Sequence, residues 1–287
     1  MGQWAQILVS GFSLGSFYAV VALGFSLIFG VTHAFNLAHG ELIVLSGYLA
    51  YILWKIYDVP FLLTLPVCLL VMPALTLPLQ FLLRRVREPY GLNTLVVTFG
   101  LALILQNFML TGFSADYRLI QPRLPGFSLP GTDVMVTGAQ ALLLGLSLTA
   151  TGAVHLLLHR TYLGKALRAT LQDREAALAA GIRVNRMGLT AFALGGLLIG
   201  VAGPLFGQSM YLYPSAGVEA TFIAICITIF AGIGRTRGIL AGGWLLGLAE
   251  SLATFFLGSR WRELVSAGLL LALLWVKPEG ISAPREE

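Results

Sequence analysis

One long apolar run near the start of the chain decides the fold class. Residues 5–30 read AQILVSGFSLGSFYAVVALGFSLIFG and contain no Asp, Glu, Lys or Arg. A helix needs about 20 apolar residues to cross a hydrocarbon layer roughly 30 Å thick, so the run is long enough for a crossing. It also lacks the strict apolar–polar alternation of a strand in a membrane β-barrel. The run therefore predicts a transmembrane helix.

The composition of the whole chain extends this interpretation. Of 287 residues, 57% are hydrophobic and 11% are charged, whereas about a quarter of the residues in a soluble domain are charged. Such a chain cannot cover a water-facing surface, so membrane lipid must surround it. We expect an all-α polytopic membrane protein that forms one domain over residues 1–287. The net charge of +5 does not indicate a nucleic-acid partner, because the basic residues are distributed as membrane topology requires.

Further apolar runs predict about eight transmembrane helices, within a range of eight to ten. Segments 219–233 and 264–277 are short for complete crossings, which suggests half-helices or re-entrant segments. The predicted spans are 5–30, 41–57, 59–83, 92–111, 137–158, 188–210, 219–233, 239–257 and 264–277.

Pairs of glycines four residues apart mark candidate helix–helix contacts. Helices in lipid associate through small residues that let their backbones approach closely. In a chain with 33 glycines such pairs also arise by chance. Examples are Gly11 and Gly15, Gly196 and Gly200, Gly203 and Gly207, and Gly243 and Gly247. Both cysteines, Cys68 and Cys226, lie in apolar runs, which favours a packing role.

Lysine and arginine predict the orientation, because they are retained on the cytoplasmic side of a membrane. Three basic clusters, Arg84–Arg87, His159–Arg186 and Arg235–Arg237, are separated by even numbers of predicted spans, so all can lie inside. This arrangement places the N-terminus outside and the C-terminus, with Lys277, in the cytoplasm. It also makes residues 112–136, which are rich in proline and glycine, an external loop.

The longest predicted cytoplasmic segment, residues 159–187, has the pattern of one amphipathic helix. Its apolar residues fall within about 100° of arc when plotted at helical spacing. They are Leu163, Leu167, Leu171, Leu178 and Ile182. Such a helix either lies flat on the inner leaflet or is presented to a soluble protein, and amphipathicity alone does not separate these alternatives.

Several motifs resemble one transporter family. The run Glu175-Ala-Ala-Leu-Ala-Ala-Gly181 resembles the Glu-Ala-Ala-x-x-x-Gly core of the coupling segment in bacterial ABC importer permeases. Gly164–Ala169, Asn36–Glu41 and the glycines that begin at Gly232 are similar to the branched-chain amino acid permease family of the LivH type. The chain departs from related importers in two places. No proline follows Gly181, and the glycine-rich turn contains two arginines.

The resemblance implies a channel-forming permease subunit of an ATP-driven importer in a bacterial plasma (inner) membrane. Its expected partners are a cytoplasmic ABC ATPase, a second related permease that completes a heterodimer, an external solute-binding protein and an amino acid substrate. No cofactor or nucleotide site is expected in this chain. The residues implied for ATPase coupling are Arg174, Glu175, Ala176, Ala177 and Gly181.

Polar residues at membrane depth are candidates for the translocation pathway or gate, because such residues are costly in lipid. Asn36 and His39 have an alternative role in capping helix ends at the interface. The candidates are Asn36, His39, Glu41, Thr98, Gln106 and Glu250. The chain shows no arrangement typical of an enzyme, and its four histidines do not form a metal motif.

Two other classes of function remain open at this stage. An ion-gradient-driven secondary transporter of small polar solutes would need a buried charge for coupling, and Glu250 is the main candidate for it. A scaffolding membrane subunit would bind partners without moving solute. Within the ABC family itself, the substrate is a branched-chain amino acid, another amino acid, urea or a short amide.

Overall fold

The computed structural model describes residues 2–122, 124–128 and 135–276. Lys277 and parts of the predicted external loop (residues 123 and 129–134) lie outside them. Two short strands, β1 (Phe127–Ser128) and β2 (Met135–Val136), pair antiparallel. The helices are α1 (Gly2–Thr32), α2 (His39–Lys55), α3 (Phe61–Leu83), α4 (Tyr90–Phe113), α5 (Gly138–Arg160), α6 (Tyr162–Gln172), α7 (Arg174–Ala179), α8 (Val184–Ser209), α9 (Ala216–Ala231), α10 (Thr236–Phe256) and α11 (Arg262–Val276).

The all-α polytopic membrane fold is confirmed. Within the described residues, six helices are long and apolar enough to cross a membrane, namely α1, α3, α4, α5, α8 and α10. Helices α2, α9 and α11 have 17, 16 and 15 residues, fewer than the about 20 that a complete crossing needs. The total of eight spans therefore stays a prediction. The two segments predicted to be short correspond to α9 and α11.

Helix α1 lies at the centre of the bundle. Of its most apolar 18-residue window, 89% is buried inside the protein, against 17% for α4. A helix that is apolar on all sides is expected to be surrounded by protein or lipid. Here protein surrounds α1, whereas α4 exposes large apolar side chains. They include Val96, Phe99, Ile104 and Phe108.

The glycine pairs of α1 and α10 pack against each other, as their spacing predicts. A Cβ atom placed on Gly15 would lie 2.6 Å from the carbonyl oxygen of Gly243 and 2.6 Å from Cα of Trp244. One placed on Gly11 would lie 2.9 Å from Cα of Leu248. The two backbones therefore approach to a distance that excludes any side chain between them.

The two glycine pairs of α8 also lie at close packing contacts. Gly196 faces Pro73 and Gly200 faces the carbonyl of Cys68, both on α3. Gly203 packs against Ser46 and Gly207 packs beside Ile120. All four of these glycine pairs are therefore close contacts, with α8 placed between α2 and α3.

The segment 159–187 differs from the single amphipathic helix that its apolar stripe predicts. Asp173 has an extended backbone (φ −155°, ψ 112°) and separates α6 from α7. Its carboxylate accepts hydrogen bonds from Glu175 N at 2.9 Å and Ala176 N at 3.0 Å. Aspartate favours this capping position over a helix interior because its side chain satisfies free amide groups. Accordingly Leu167 is buried but Leu163 and Leu178 are exposed.

The three basic clusters lie at one end of the bundle, named here the α6 end. Leu171 of α6 contacts the turn after α9, since a Cβ atom on Gly234 would lie 3.2 Å from Leu171 Cδ1. Gln80, near the end of α3, lies beside Gly188, near the start of α8. The segments that follow α3, α5 and α9 are therefore neighbours, as the predicted topology requires.

Candidate functional site

The connection between α1 and α2 turns back into the bundle. The ring nitrogen Nε2 of His39, the first residue of α2, lies 3.1 Å from the carbonyl oxygen of Val21. Val21 precedes Thr32, the last residue of α1, by about 16 Å along the helix axis at 1.5 Å per residue. The segment 33–38 therefore runs back alongside α1, and α2 begins deep in the bundle. This position inside the bundle does not fit the alternative in which Asn36 and His39 cap helix ends at the interface.

Two threonines from other helices satisfy the irregular backbone of this connection. Thr98 Oγ1 on α4 accepts from Leu37 N at 3.1 Å and lies 2.8 Å from the carbonyl oxygen of Phe35. Thr221 Oγ1 on α9 accepts from Gly40 N at 2.8 Å. Irregular backbone at membrane depth is tolerated only where protein or a water-filled cavity satisfies its polar groups. The threonines perform that role here.

Asn36 and His39 are buried but are not helix caps. The N-cap of α2 is Ala38, whose own amide is bonded by Asn36 Oδ1 at 3.1 Å in a local turn. The ring of His39 contacts α1 instead of its own helix. Among the described residues, Asn36 Nδ2 and His39 Nδ1 have no hydrogen-bond partner. Both side chains therefore present polar atoms to the interior at the start of α2.

Glu41 occupies the first turn of α2 and is completely buried. Gln106 Nε2 on α4 donates to its Oε1 at 2.7 Å. A Cβ atom on Gly217, at the start of α9, would lie 2.5 Å from the Glu41 carboxyl carbon, so two helix N-termini meet at this carboxyl group. Oε2 of Glu41 has no hydrogen-bond partner in the described part of the chain.

A cavity leads to this polar cluster from the end of the bundle opposite α6. Its volume is about 320 Å³ and its lining includes Gln106, Asn107, Tyr117, Tyr213 and Ser215. Gln106 lines this cavity and also donates to Glu41, so its side chain separates the cavity from the buried carboxyl group.

Five of the six predicted pathway residues meet in this cluster, and Glu250 lies elsewhere. Tyr18 donates to Glu250 Oε2 at 2.7 Å and Ser266 donates to Oε1. The group therefore joins α1, α10 and α11, beside a second cavity of about 540 Å³ formed by the start of α1 and the end of α10. Gln3 and Gln6 contribute to that lining.

The residues implied for ATPase coupling lie together at the α6 end. Arg174, Glu175 and Ala176 are exposed in the first turn of α7, whereas Ala177 is 3% exposed and faces the bundle. Gly181 has φ +81°, a left-handed conformation that ends α7 and favours glycine. Arg174, Glu175 and Ala176 can contact a partner directly, and the other two residues shape the surface.

Thr221 and Gly217 were missed by the sequence analysis. A single threonine and a single glycine in an apolar helix form no pattern. Their partners, Gly40 and Glu41, lie far away in the chain. Gln208 was also missed, although its side-chain amide is buried without a hydrogen-bond partner among the described residues. Glutamine close to the end of a predicted span was the available signal.

We expect Thr221→Val to destabilise the protein, because it removes the hydroxyl that bonds Gly40 N and adds no volume. A buried amide left without a partner costs about 1–3 kcal/mol. Thermal unfolding of the detergent-purified protein measures the change. Thr149→Val is the matched control, since Thr149 is exposed and its hydroxyl bonds carbonyl groups of its own helix. Equal shifts in Tm for the two variants would contradict this role of Thr221.

Comparisons with known proteins support one family. A family profile described as "Branched-chain amino acid transport system / permease component" matches residues 7–274. The permease protein BraD of a high-affinity branched-chain amino acid transport system from Pseudomonas aeruginosa is 29% identical, covering 97% of this chain and 95% of the relative. The corresponding LivH protein of Escherichia coli is 28% identical, with 96% and 94% covered.

A more distant likeness covers part of the chain. The L-arabinose ABC transporter permease protein AraH of Azospirillum brasilense is 31% identical over 40% of this chain and 36% of its own length. No solved structure matches the chain. The relatives with nearly full coverage are membrane permeases of transport systems and are not enzymes. The chain therefore belongs to the family of branched-chain amino acid transport system permease components, as a multi-pass protein of the inner membrane.

Proposed function

We propose that the chain forms the solute channel of an ATP-driven importer for branched-chain or other amino acids. One structural observation carries the proposal: α2 begins inside the bundle, and its first turn places buried polar groups behind a cavity. Transporters commonly bind solutes where helices are interrupted near the bilayer midplane. The substrate class follows from the names of the relatives BraD and LivH. In this proposal residues 1–287 form one permease domain.

The pathway in this proposal passes the cluster at the start of α2. Asn36, His39 and Glu41 supply its polar groups, with Thr98 and Gln106 on the facing helix α4. Glu250 belongs to the pathway only if solute also enters the second cavity, between α1 and α10.

The proposed orientation places the α6 end in the cytoplasm. All three basic clusters are at that end, and basic residues are retained on the cytoplasmic side. The N-terminus is then outside and the C-terminus is cytoplasmic. Residues 112–136 lie outside, where a solute-binding protein docks. A second, related permease completes the channel against the exposed apolar faces of the bundle.

The proposed coupling surface is the first turn of α7. The exposed side chains of Arg174, Glu175 and Ala176 contact a separate cytoplasmic ATPase. Binding of ATP moves the ATPases together and displaces α6 and α7, which changes the channel from outward to inward opening. Gly181 follows the short α7 in a left-handed conformation and turns the chain before α8 begins.

Purification of the detergent-solubilised chain from its native membrane tests this function. We expect an ATPase subunit and a second permease to copurify and the complex to hydrolyse ATP. Purification of the chain alone, with transport in vesicles driven by an ion gradient and indifferent to ATP, would overturn the proposal in favour of a secondary transporter.

A further inference from the structure

A buried carboxyl group with one free oxygen sits behind the 320 Å³ cavity. Glu41 is 0% exposed, and only Gln106 donates a hydrogen bond to it within the described residues. No lysine, arginine or histidine of that part of the chain forms an ion pair with it. A buried carboxyl group without a cationic partner is costly, and such groups in membrane proteins mark functional sites.

The surroundings hold the Glu41 carboxyl group with Oε2 against α9 and Oε1 towards Gln106. Gly40 and Gly217 have no side chains, so the first turns of α2 and α9 touch at Glu41. The N-terminus of a helix carries a partial positive charge that stabilises a nearby carboxylate. Glu41 is therefore positioned with Oε2 packed against Gly217 of α9, and Oε1, which Gln106 bonds, is the oxygen on the side of the cavity.

The cavity in front of Glu41 suits a small solute with one apolar and one polar end. Leu110, Tyr117, Tyr213 and Pro214 supply apolar and aromatic walls, and Gln106 supplies a polar wall. Ligand pockets are typically of this kind, with a few placed polar groups in an apolar lining and volumes from about 300 Å³ upward. The apolar part of a solute fits the tyrosines while its polar end points to Gln106.

We propose that Glu41 binds the ammonium group of the transported solute, and that the side chain of Gln106 must turn away before this contact forms. The inference rests on the proposed function and adds a specificity site to it. An ammonium group donates three hydrogen bonds. It also supplies the cationic partner that Glu41 lacks among the described residues. Gln106 blocks access from the cavity to the carboxyl group until an ammonium group replaces the Gln106 amide.

The test measures ligand binding to the complete transporter, purified with its partner subunits. Three probes are used: L-leucine, 4-methylpentanoate and isopentylamine, which keeps the ammonium group but has no carboxylate. We expect Glu41→Gln to weaken isopentylamine binding about 10- to 100-fold, or about 1.4–2.8 kcal/mol, because the variant lacks the charged acceptor for the ammonium group. Glu41→Asp should recover part of the affinity. Binding of 4-methylpentanoate, which lacks the ammonium group, should be equal in the wild type and Glu41→Gln.

Two further variants keep the test decisive. Asp58→Asn makes the same carboxylate-to-amide change at an exposed loop position, and should bind isopentylamine like the wild type. Gln106→Ala removes the competing donor, so its affinity for isopentylamine should equal or exceed that of the wild type. If Glu41→Gln does not assemble, a loss of isopentylamine binding in Gln106→Ala decides against the inference.

The outcomes separate this inference from the proposed function. If Glu41→Gln takes up L-leucine at the wild-type rate and binds isopentylamine with unchanged affinity, the ammonium site is overturned and the importer remains. An absence of ATP-driven uptake in the wild type, with isopentylamine binding lost in Glu41→Gln, would uphold the site and reject the proposed transport. Binding of isopentylamine that requires Na⁺ would assign Glu41 to a metal cation instead and overturn the inference.

Discussion

Gly15→Val is expected to prevent the permease from being recovered in a folded form. The added side chain would overlap the carbonyl of Gly243 and the backbone at Trp244, and backbone atoms cannot move aside by changing rotamer. Close packing is the main attraction between helices in lipid, so separating α1 from α10 removes the central contact of the bundle. Overpacking costs typically 1–3 kcal/mol and occasionally more, and we expect at least about 3 kcal/mol here. Size-exclusion chromatography after detergent extraction measures the recovery.

Gly100→Val is the matched control for this change. Gly100 is also in the interior of a membrane helix, but no described atom beyond its own stretch of helix lies within 4 Å of the position where its Cβ would be. The control therefore keeps the effect of valine on helix propensity and removes the collision. We expect a monodisperse protein in normal yield from Gly100→Val. Similar recovery of the two variants would show that the α1–α10 crossing tolerates separation.

Glu175→Lys is expected to abolish transport while the chain still inserts into the membrane. Glu175 is exposed in the first turn of α7, so its loss costs the fold about 0.3–1 kcal/mol through the helix dipole. In the proposed function the same residue contacts the ATPase, and a reversed charge there disrupts docking. ATP-driven uptake into proteoliposomes and the amount of copurifying ATPase measure the effect.

Two other variants show whether the effect belongs to the surface of α7. Asp116→Lys makes the same kind of charge reversal at the opposite end and should retain the ATPase. Gly181→Trp should abolish transport, whereas Gly181→Asn should be tolerated because asparagine accepts the left-handed conformation at this position. Normal uptake by both Glu175→Lys and Gly181→Trp would reject the coupling surface.

The membrane character and the helix contacts could be predicted because they depend on local patterns. An apolar run of sufficient length indicates a membrane helix whatever it packs against. The spacing of Gly11 and Gly15 likewise indicates a contact face. That spacing did not identify Gly243 and Gly247 as the partners, because pairing between distant segments is determined by the three-dimensional arrangement.

The candidate site was predicted in part. The polar run Asn36–Glu41 and the polar side chains of α4 were both recognised, but nothing local indicated that Gln106 bonds Glu41. Glu250 was grouped with them because it is polar at membrane depth. A polar group at membrane depth can line a pathway, or it can be bonded within the structure, as Glu250 is by Tyr18. Only the three-dimensional packing distinguishes these two roles.

The break in the 159–187 segment had a local signal that the apolar stripe obscured. Aspartate followed by a glutamate in the next helical turn is typical of a helix start. Asp173 and Glu175 have this arrangement, yet a continuous stripe through Leu171 and Leu178 favours one helix. The physical preference of Asp173 for the capping position determines the result.

Helix α9 touches the two regions that an importer must connect. Its first turn contacts Glu41 through Gly217, and the turn that follows it rests on Leu171 of α6. A helix of 16 residues is about 24 Å long and does not compress, so α9 moves as one rigid body. Any axial displacement of α6 that α9 follows also reaches the buried carboxyl group. If a partner bound at α6 changes the affinity of Glu41 for a ligand through the position of α9, the ligand changes the affinity of α6 for that partner by the same factor.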